Sequence, residues 1–223
     1  MFYRFWRTFL VGLAALLFGT EVRGREHLPP TGVYIVAPSH RSTLDIPLAA
    51  AVTRRRLRFM AKQEIFNGPV WSWIFHAVGA VPVDRAGTDR AALKVVEGAL
   101  LEGEPVVIFP EGTRHQGPEL GPIASGTAYV ALKAGVSVVP VGIGGTGTLV
   151  VRRRGVPRLS RVTVVVGPPI VVERVDGAVK RSAITELDAT LRVRLQAVFD
   201  EAEARSARRS AGRRASDQAG QGV

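Results

Sequence analysis

Short runs of β-branched and other apolar residues alternate along the chain with longer segments of helical periodicity. The apolar runs predict strands near residues 32–37, 57–61, 80–83, 105–109, 137–142 and 161–166. The intervening segments predict helices near residues 2–19, 44–53, 69–78, 88–102, 122–134 and 181–204. Such alternation is typical of an α/β domain, in which helices cover a sheet. With 223 residues and 46% hydrophobic content, the chain is long enough to bury a sizeable core.

The N-terminus combines aromatic and basic residues with a short apolar run. Residues 1–7 read MFYRFWR, and the uncharged run from Phe9 to Gly19 covers eleven positions. A membrane-spanning helix needs about 20 apolar residues, so this run predicts a helix that lies in the membrane interface. A secretory signal peptide is an alternative, although no clean cleavage site follows. A further apolar and aromatic stretch, Val70–Val78, fits either a protein core or a lipid boundary.

The last predicted helix has an apolar stripe with steps of three and four residues. The stripe consists of Ile184, Leu187, Leu191, Leu195 and Val198. From about Ala204 the sequence loses its apolar pattern, which indicates a mobile tail. We therefore divide the chain into a membrane-associating segment (1–26), a main domain (27–204) and a basic flexible tail (205–223).

The formal net charge of +11 arises from clustered arginines, which attract polyanions. The chain contains no helix-turn-helix or RNA-binding signature, so we expect an anionic membrane surface and not nucleic acid as the partner. Cysteine is absent, which excludes a thiolate nucleophile and a disulfide framework. The four histidines show no metal-ligand spacing, so no metal site is expected.

A histidine and a carboxylate lie five residues apart in the segment Ser39–Pro47, directly after the apolar run Val33–Val36. On a straight helix this separation would rotate the two side chains about 140° apart, so His40 and Asp45 can meet only across a turn. A strand that leads His40 into a loop, followed by a helix beginning near Asp45, would let the carboxylate bind one ring nitrogen and leave the other as a base. An Asp or Thr that only caps the helix is an alternative reading.

Three further predicted strands end in distinctive residues. Gly79–Arg85 reads GAVPVDR, Phe109–Arg114 reads FPEGTR, and Val139–Val141 reads VPV. Strand ends of an α/β sheet can gather such residues at one crevice. Together with the histidine block, these ordered motifs resemble the glycerolipid acyltransferases, specifically the 1-acylglycerol-3-phosphate acyltransferases, over residues 22–172.

The resemblance implies a mixed β-sheet flanked by helices, the glycerol-3-phosphate acyltransferase-like fold, with the N-terminal membrane-interfacial helical segment attached. It implies an enzyme of phospholipid biosynthesis that moves a fatty acyl group from acyl-CoA or an acyl carrier protein to the free hydroxyl of 1-acylglycerol 3-phosphate (lysophosphatidic acid), forming phosphatidate. Because the acyl thioester is a substrate, no separate cofactor is expected. We expect the protein at the cytoplasmic face of the cell membrane, bound as a peripheral or monotopic protein.

Acyl transfer to an alcohol requires removal of the hydroxyl proton during attack, a role suited to a histidine. We predict that His40 is the general base and that Asp45 holds its tautomer and stabilises the imidazolium. The predicted substrate-binding residues are Arg85, Glu111, Gly112, Thr113, Arg114 and Pro140. The two arginines would bind the acceptor's phosphate, close to the backbone of the glycine and threonine. The resemblance implies that Glu111 binds substrate, although it could instead hold an arginine. The block around Pro140 could line the crevice or form a buried strand.

One feature departs from the family pattern. Family members often place a lysine before the glycine that begins the helix after FPEGTR, but residues 123–126 read IASG. The acceptor could therefore be another lysolipid or glycerol 3-phosphate. A non-catalytic anionic-lipid-binding protein is an alternative of another class, whereas a lipase-like hydrolase is disfavoured because Ser42 lies in no GxSxG elbow.

Overall fold

The computed structural model describes residues 8–9, 12–13, 16–62, 67–69, 72–73, 79–83, 89–147 and 161–219. The strands are β1 (Glu21–Arg23), β2 (Tyr34–Pro38), β3 (Arg58–Lys62), β4 (Ala80–Val83), β5 (Val106–Val107), β6 (Ser137–Gly144) and β7 (Thr163–Val166). Four α-helices have defined bounds within the described residues, namely α1 (Asp45–Ala50), α2 (Asp89–Leu101), α3 (Gly126–Ala134) and α4 (Arg181–Ala219), and a short 3-10 helix spans Arg25–His27. Each of the six predicted strands is present, and β1 was not predicted.

Within the described residues, seven strands form one sheet in the order β1-β7-β6-β2-β5-β3-β4. β6 and β7 pair antiparallel, and the other neighbouring strands pair parallel. The expected mixed sheet of an α/β domain is therefore confirmed. β2 lies between β5 and β6, so the loops that follow these three parallel strands emerge at the same edge of the sheet.

Side chains of β2 alternate between two apolar cores, one on each face of the sheet. Tyr34 and Val36 belong to the core that includes Leu48 of α1, whereas Ile35 and Ala37 belong to the core that includes residues of α2, α3 and α4. All five residues of the strand are buried. A strand that is buried on both faces has a continuous apolar sequence, which is why β2 is predicted clearly.

The apolar stripe of α4 packs against the sheet as predicted, with Leu191 and Leu195 both 0% exposed. The helix does not end near Ala204, however, because it continues to Ala219. The prediction of a flexible tail that begins at residue 205 is therefore wrong for this part of the chain.

Beyond the stripe, α4 stays on the sheet without large apolar side chains. Ala202 is 0% exposed, and a Cβ added at Gly144 would lie 2.3 Å from the Ala202 carbonyl carbon. Further along the helix, Arg209 donates to the Val162 carbonyl oxygen at 2.7 Å and forms an ion pair with Glu21 at 3.2 Å. Small residues and an arginine replace the apolar stripe here, so hydrophobic periodicity could not reveal this stretch.

Residues 8–9, 12–13 and 16–18 near the N-terminus are helical, and Phe9 and Leu16 are 51% and 81% exposed. β1 lies inside the segment predicted as membrane-associating and pairs with β7, so the sheet begins before the predicted boundary at residue 26. Across the described part of the chain, none of the helices has both the length and the apolar character to cross a bilayer. Residues 1–7 and most of the Val70–Val78 stretch lie outside the described residues.

Candidate active site

The chain leaves β2 at Pro38 and enters a loop at the carboxyl edge of the sheet. Ser39 is fully buried and connects this loop to β6. Its N–H donates to the Val141 carbonyl oxygen at 3.0 Å, and its Oγ accepts the Ile143 N–H at 3.0 Å. Because β6 is an interior strand of the sheet, these contacts fix the point at which the next residue, His40, emerges.

His40 and Asp45 meet across this loop, as their spacing predicts. His40 Nδ1 lies 3.2 Å from Asp45 Oδ2, and Asp45 is the first residue of α1. The Asp45 side chain is 1% exposed and that of His40 is 15% exposed. Contact through Nδ1 leaves Nε2 as the ring nitrogen that can exchange a proton with a substrate.

The same carboxylate oxygen accepts two main-chain N–H groups. Arg41 and Ser42 each donate to Asp45 Oδ2 at 2.6 Å. Both donors precede Asp45 in the chain, so the carboxylate turns back into the loop and does not cap its own helix. The reading in which this segment only caps a helix is therefore wrong, because the carboxylate is oriented by two main-chain N–H donors and contacts the His40 ring.

The loop Phe109–Arg114 follows β5, which pairs directly with β2. The His115 N–H donates to the His40 carbonyl oxygen at 3.0 Å. The Phe109 ring lies 4.2 Å from the His40 ring, measured between centroids. The fold therefore brings the FPEGTR block against the histidine block, as expected for strand ends at one edge.

Glu111 belongs to this loop, and its side chain is 0% exposed. Its carboxylate contacts Arg41 Nη1 at 2.9 and 3.2 Å. It also accepts the N–H groups of His40 at 2.9 Å and Gly121 at 2.8 Å. A carboxylate enclosed in this way cannot reach a substrate hydroxyl. The predicted direct contact with substrate is therefore wrong, and Glu111 instead holds an arginine, the other role that the sequence left open.

Sequence reasoning did not select that arginine, Arg41. Its side chain is 2% exposed, although it follows His40 in a polar loop where an exposed side chain would be ordinary. Its partner lies 70 positions away in the chain. The available signal, a charged residue next to the proposed base, is too common to indicate burial.

Gly112, Thr113 and Arg114 are exposed at the rim of the site. Gly112 has a φ of +66°, a left-handed conformation that favours glycine, and it turns the loop. Arg114 Nη1 donates to Thr43 Oγ1 at 3.1 Å. An exposed guanidinium therefore lies beside the residues that lead into α1, where it can meet an anionic group from solvent.

Two predicted binding residues remain. Arg85 lies outside the described residues, and β4, which precedes it, is separated from β2 by β3 and β5. Pro140 is buried within β6, opposite Ala37 of β2. The prediction that Pro140 lines the crevice is therefore wrong, and its block is a buried strand.

Another carboxyl group, that of Glu203 in α4, lies near the same cluster. Burial raises the pKa of Glu203. The hydrogen bond from the Gly145 N–H, at 3.2 Å, and the charge of Arg41 lower this pKa, whereas the charge of Asp45 raises it. The C-terminal helix thus contributes to the electrostatic surroundings of the His40–Asp45 pair.

Comparisons with known proteins identify the same family that the histidine block and the Phe109–Arg114 block indicate. A family model described as Acyltransferase matches residues 19–144. The 1-acyl-sn-glycerol-3-phosphate acyltransferase of Chlamydomonas reinhardtii is 35% identical over 157 residues, which cover 68% of this chain and 47% of that protein. The protein of the same name from Streptococcus pneumoniae is 31% identical over 75% of this chain and 63% of its own length. The chain thus spans about half the length of the algal relative.

A similar structure has been solved, the crystal structure of the 1-acyl-sn-glycerophosphate (LPA) acyltransferase PlsC from Thermotoga maritima. The two chains superpose with a TM-score of 0.70 and 25% sequence identity, covering 87% of this chain and 78% of the other. The region that the family model matches contains both the His40–Asp45 pair and the Phe109–Arg114 loop. From its sequence and its fold, this chain belongs to the acyltransferase family.

Proposed function

We propose that this protein transfers a fatty acyl group from an acyl thioester to the free hydroxyl of 1-acylglycerol 3-phosphate and forms phosphatidate. The observation that carries the proposal is the 3.2 Å contact between His40 and Asp45 at a sheet edge that also presents Arg114. The names of the relatives at 35% and 31% identity support this acceptor. The proposed donor is acyl-CoA or an acyl carrier protein thioester.

In the proposed reaction, His40 Nε2 accepts the hydroxyl proton while the acceptor oxygen attacks the thioester carbonyl carbon. The tetrahedral intermediate then collapses, the carbon–sulfur bond breaks, and the departing thiolate takes the proton from the imidazolium. Asp45 stabilises the imidazolium between these steps and keeps the proton of the neutral ring on Nδ1. The acyl group passes directly from donor to acceptor, so the reaction needs no nucleophile from the protein.

The acceptor's phosphate is proposed to bind Arg114, because a guanidinium donates two parallel hydrogen bonds to phosphate oxygens. Arg85 is proposed to join it, on the strength of the sequence motif. Ser125, which is exposed before α3, stands where the family resemblance leads us to expect a lysine. The phosphate contacts would therefore come from the two arginines and from the exposed backbone at Gly112 and Thr113.

The function is tested by incubating the purified protein with acyl-CoA or acyl carrier protein thioester and an acceptor panel, then identifying products by mass spectrometry. The panel contains lysophosphatidic acid, other lysolipids and glycerol 3-phosphate. We expect phosphatidate as the main product, at a higher kcat/KM than for the other acceptors. Preference for another acceptor would contradict the proposed substrate. Vesicle binding without turnover of any acceptor would favour the non-catalytic lipid-binding alternative.

We also propose that the protein attaches to the cytoplasmic face of the cell membrane as a peripheral or monotopic protein. The exposed apolar side chains of Phe9 and Leu16 support insertion into one leaflet. The net charge of +11 supports attraction to anionic lipids. Both the proposed acceptor and the product are amphiphiles that reside in a bilayer, so attachment would bring the site to its substrate.

The two contributions to attachment respond differently to salt. We expect full-length protein to sediment with anionic vesicles even at about 1 M salt, because the Debye length then falls to about 3 Å but apolar insertion persists. After deletion of residues 1–17, the protein should still bind anionic vesicles at low salt but should lose this binding at high salt. The deletion stops before Phe18 because that residue packs against the core. Full-length protein with Phe9→Ser and Leu16→Ser should behave like the deletion. Recovery of the unaltered protein in the supernatant at low salt would refute membrane attachment.

A further inference from the structure

Arg41 is a charged residue buried inside the loop that carries the His40–Asp45 pair. The whole residue is 4% exposed, and its side chain is 2% exposed, so the guanidinium is not placed to bind a substrate. The reaction proposed above does not use it. Burial of an arginine is costly unless its charge is paired. Its partners therefore indicate what it does.

The guanidinium joins three separate parts of the chain. Nη1 contacts the Glu111 carboxylate at 2.9 Å and donates to the His40 carbonyl oxygen at 3.3 Å. Nη2 donates to the Glu119 carbonyl oxygen at 2.8 Å. The guanidinium carbon also lies 4.4 Å from the centre of the Phe199 ring of α4, a cation–π contact. The group is thus held by both hydrogen bonds and a ring face.

The main chain of the same residue supports the His40–Asp45 pair, called the dyad below. Its N–H donates to Asp45 Oδ2 at 2.6 Å, and its carbonyl oxygen accepts from Gln116 Nε2 at 3.2 Å. Glu111, which holds the guanidinium, also accepts the His40 N–H at 2.9 Å. A shift of the Arg41 side chain would therefore move the main-chain groups that orient both members of the dyad.

We propose that Arg41 is a positioning residue for acyl transfer. Its guanidinium, fixed by Glu111, Glu119 and Phe199, holds the turn that aligns His40 Nδ1 with Asp45. The inference rests on the proposed function, because it assigns the turn a role in the same proton transfer. An arginine suits this role because its planar fork donates in two fixed directions, whereas a lysine has a single donating nitrogen and lacks that fork.

The test compares Arg41→Lys with the matched variant Arg209→Lys in the full-length protein. Arg209 is also hydrogen-bonded several times, to Val162 at 2.7 Å and to Thr163 Oγ1 at 3.1 Å, but these partners belong to β7 and the residue before it. We expect Arg41→Lys to lower kcat about tenfold, because small displacements of reacting groups slow the chemical step. The KM of each substrate should change less than about twofold, and Arg209→Lys should leave kcat within about twofold of the wild type.

Nitrogen-15 NMR of the histidine rings gives a readout that does not depend on turnover. The His40 signals are assigned with His40→Ala, and their chemical shifts report which ring nitrogen of the neutral imidazole carries the proton. We expect the wild type and Arg209→Lys to keep the proton on Nδ1, facing Asp45. Arg41→Lys should give a mixture of the two tautomers.

A loss of kcat together with a tautomer mixture, seen in Arg41→Lys alone, supports the positioning role. A folded Arg41→Lys protein that keeps the wild-type tautomer overturns it, whatever its kcat. If the unaltered protein acylates no acceptor but the tautomers still shift in Arg41→Lys, the proposed function fails, and what stands is that Arg41 orients the His40 ring toward Asp45.

If Arg41→Lys does not fold, the double variant Arg41→Met with Glu111→Gln replaces it. This variant removes both charges, so no unpaired charge is left buried. Thermal unfolding and far-ultraviolet circular dichroism would establish that it is folded. We expect low kcat and a tautomer mixture in the folded double variant, and a wild-type tautomer there would overturn the proposal.

Discussion

Replacement of His40 by alanine is expected to lower kcat by about 10²–10⁴-fold, the usual contribution of general acid–base catalysis. The Nε2 atom that would accept the acceptor's proton is lost, while the fold is retained, since the His40 side chain forms no part of the two apolar cores. Steady-state rates with lysophosphatidic acid and acyl-CoA measure the effect. Asp45→Asn should also be severely impaired, because the amide cannot stabilise the imidazolium.

His27→Ala serves as the matched control. His27 is another partly buried histidine, with Nδ1 2.8 Å from the Val166 carbonyl oxygen, and its replacement should leave kcat within about threefold of the wild type. Circular dichroism and thermal unfolding would show whether each variant is folded. Near wild-type turnover in a folded His40→Ala protein would refute the mechanism.

Replacement of Arg114 by alanine is expected to raise the KM for lysophosphatidic acid by about 10–100-fold, since hydrogen bonds to charged groups contribute roughly 1.5–3 kcal/mol. The KM for acyl-CoA should change little, because the donor is not proposed to contact this residue. Arg114→Lys should recover only part of the affinity, because lysine restores the charge but not the planar fork.

Arg194→Ala provides the control, since Arg194 is an exposed arginine of α4. Its removal should leave both KM values near those of the wild type. The KM for a neutral acceptor such as monoacylglycerol should not change after Arg114→Ala. Equal changes in the two KM values after Arg114→Ala, or no change in either, would contradict the phosphate-binding role.

The strands could be predicted where burial shaped their composition. β2 and β6 are apolar because both of their faces are covered, so they stand out in the sequence. β1 could not be predicted in this way, because its three residues read EVR and carry no apolar run. It becomes a strand by pairing with β7, about 140 residues away, a contact that local sequence does not encode.

The dyad was predictable because His40 and Asp45 are close in the chain. A separation of five residues limits the conformations in which the two side chains can meet, and a turn into a helix is one that satisfies it. The roles of Glu111 and Pro140 were not predictable in the same way. Neither residue type determines burial, and Glu111 occurs in a motif whose later residues, such as Arg114, are exposed.

The sequence by itself determined which chemical groups this protein brings to its site, namely a histidine, a carboxylate and an arginine, together with an α/β framework to hold them. The tertiary structure decided which of these groups are exposed at the site and which are buried behind it. Arg41 and Glu111 are buried because α4 and the loop after β5 close over them, placing Phe199 against the guanidinium. Such packing depends on segments that are far apart in the chain, so it arises only when the sheet and α4 come together.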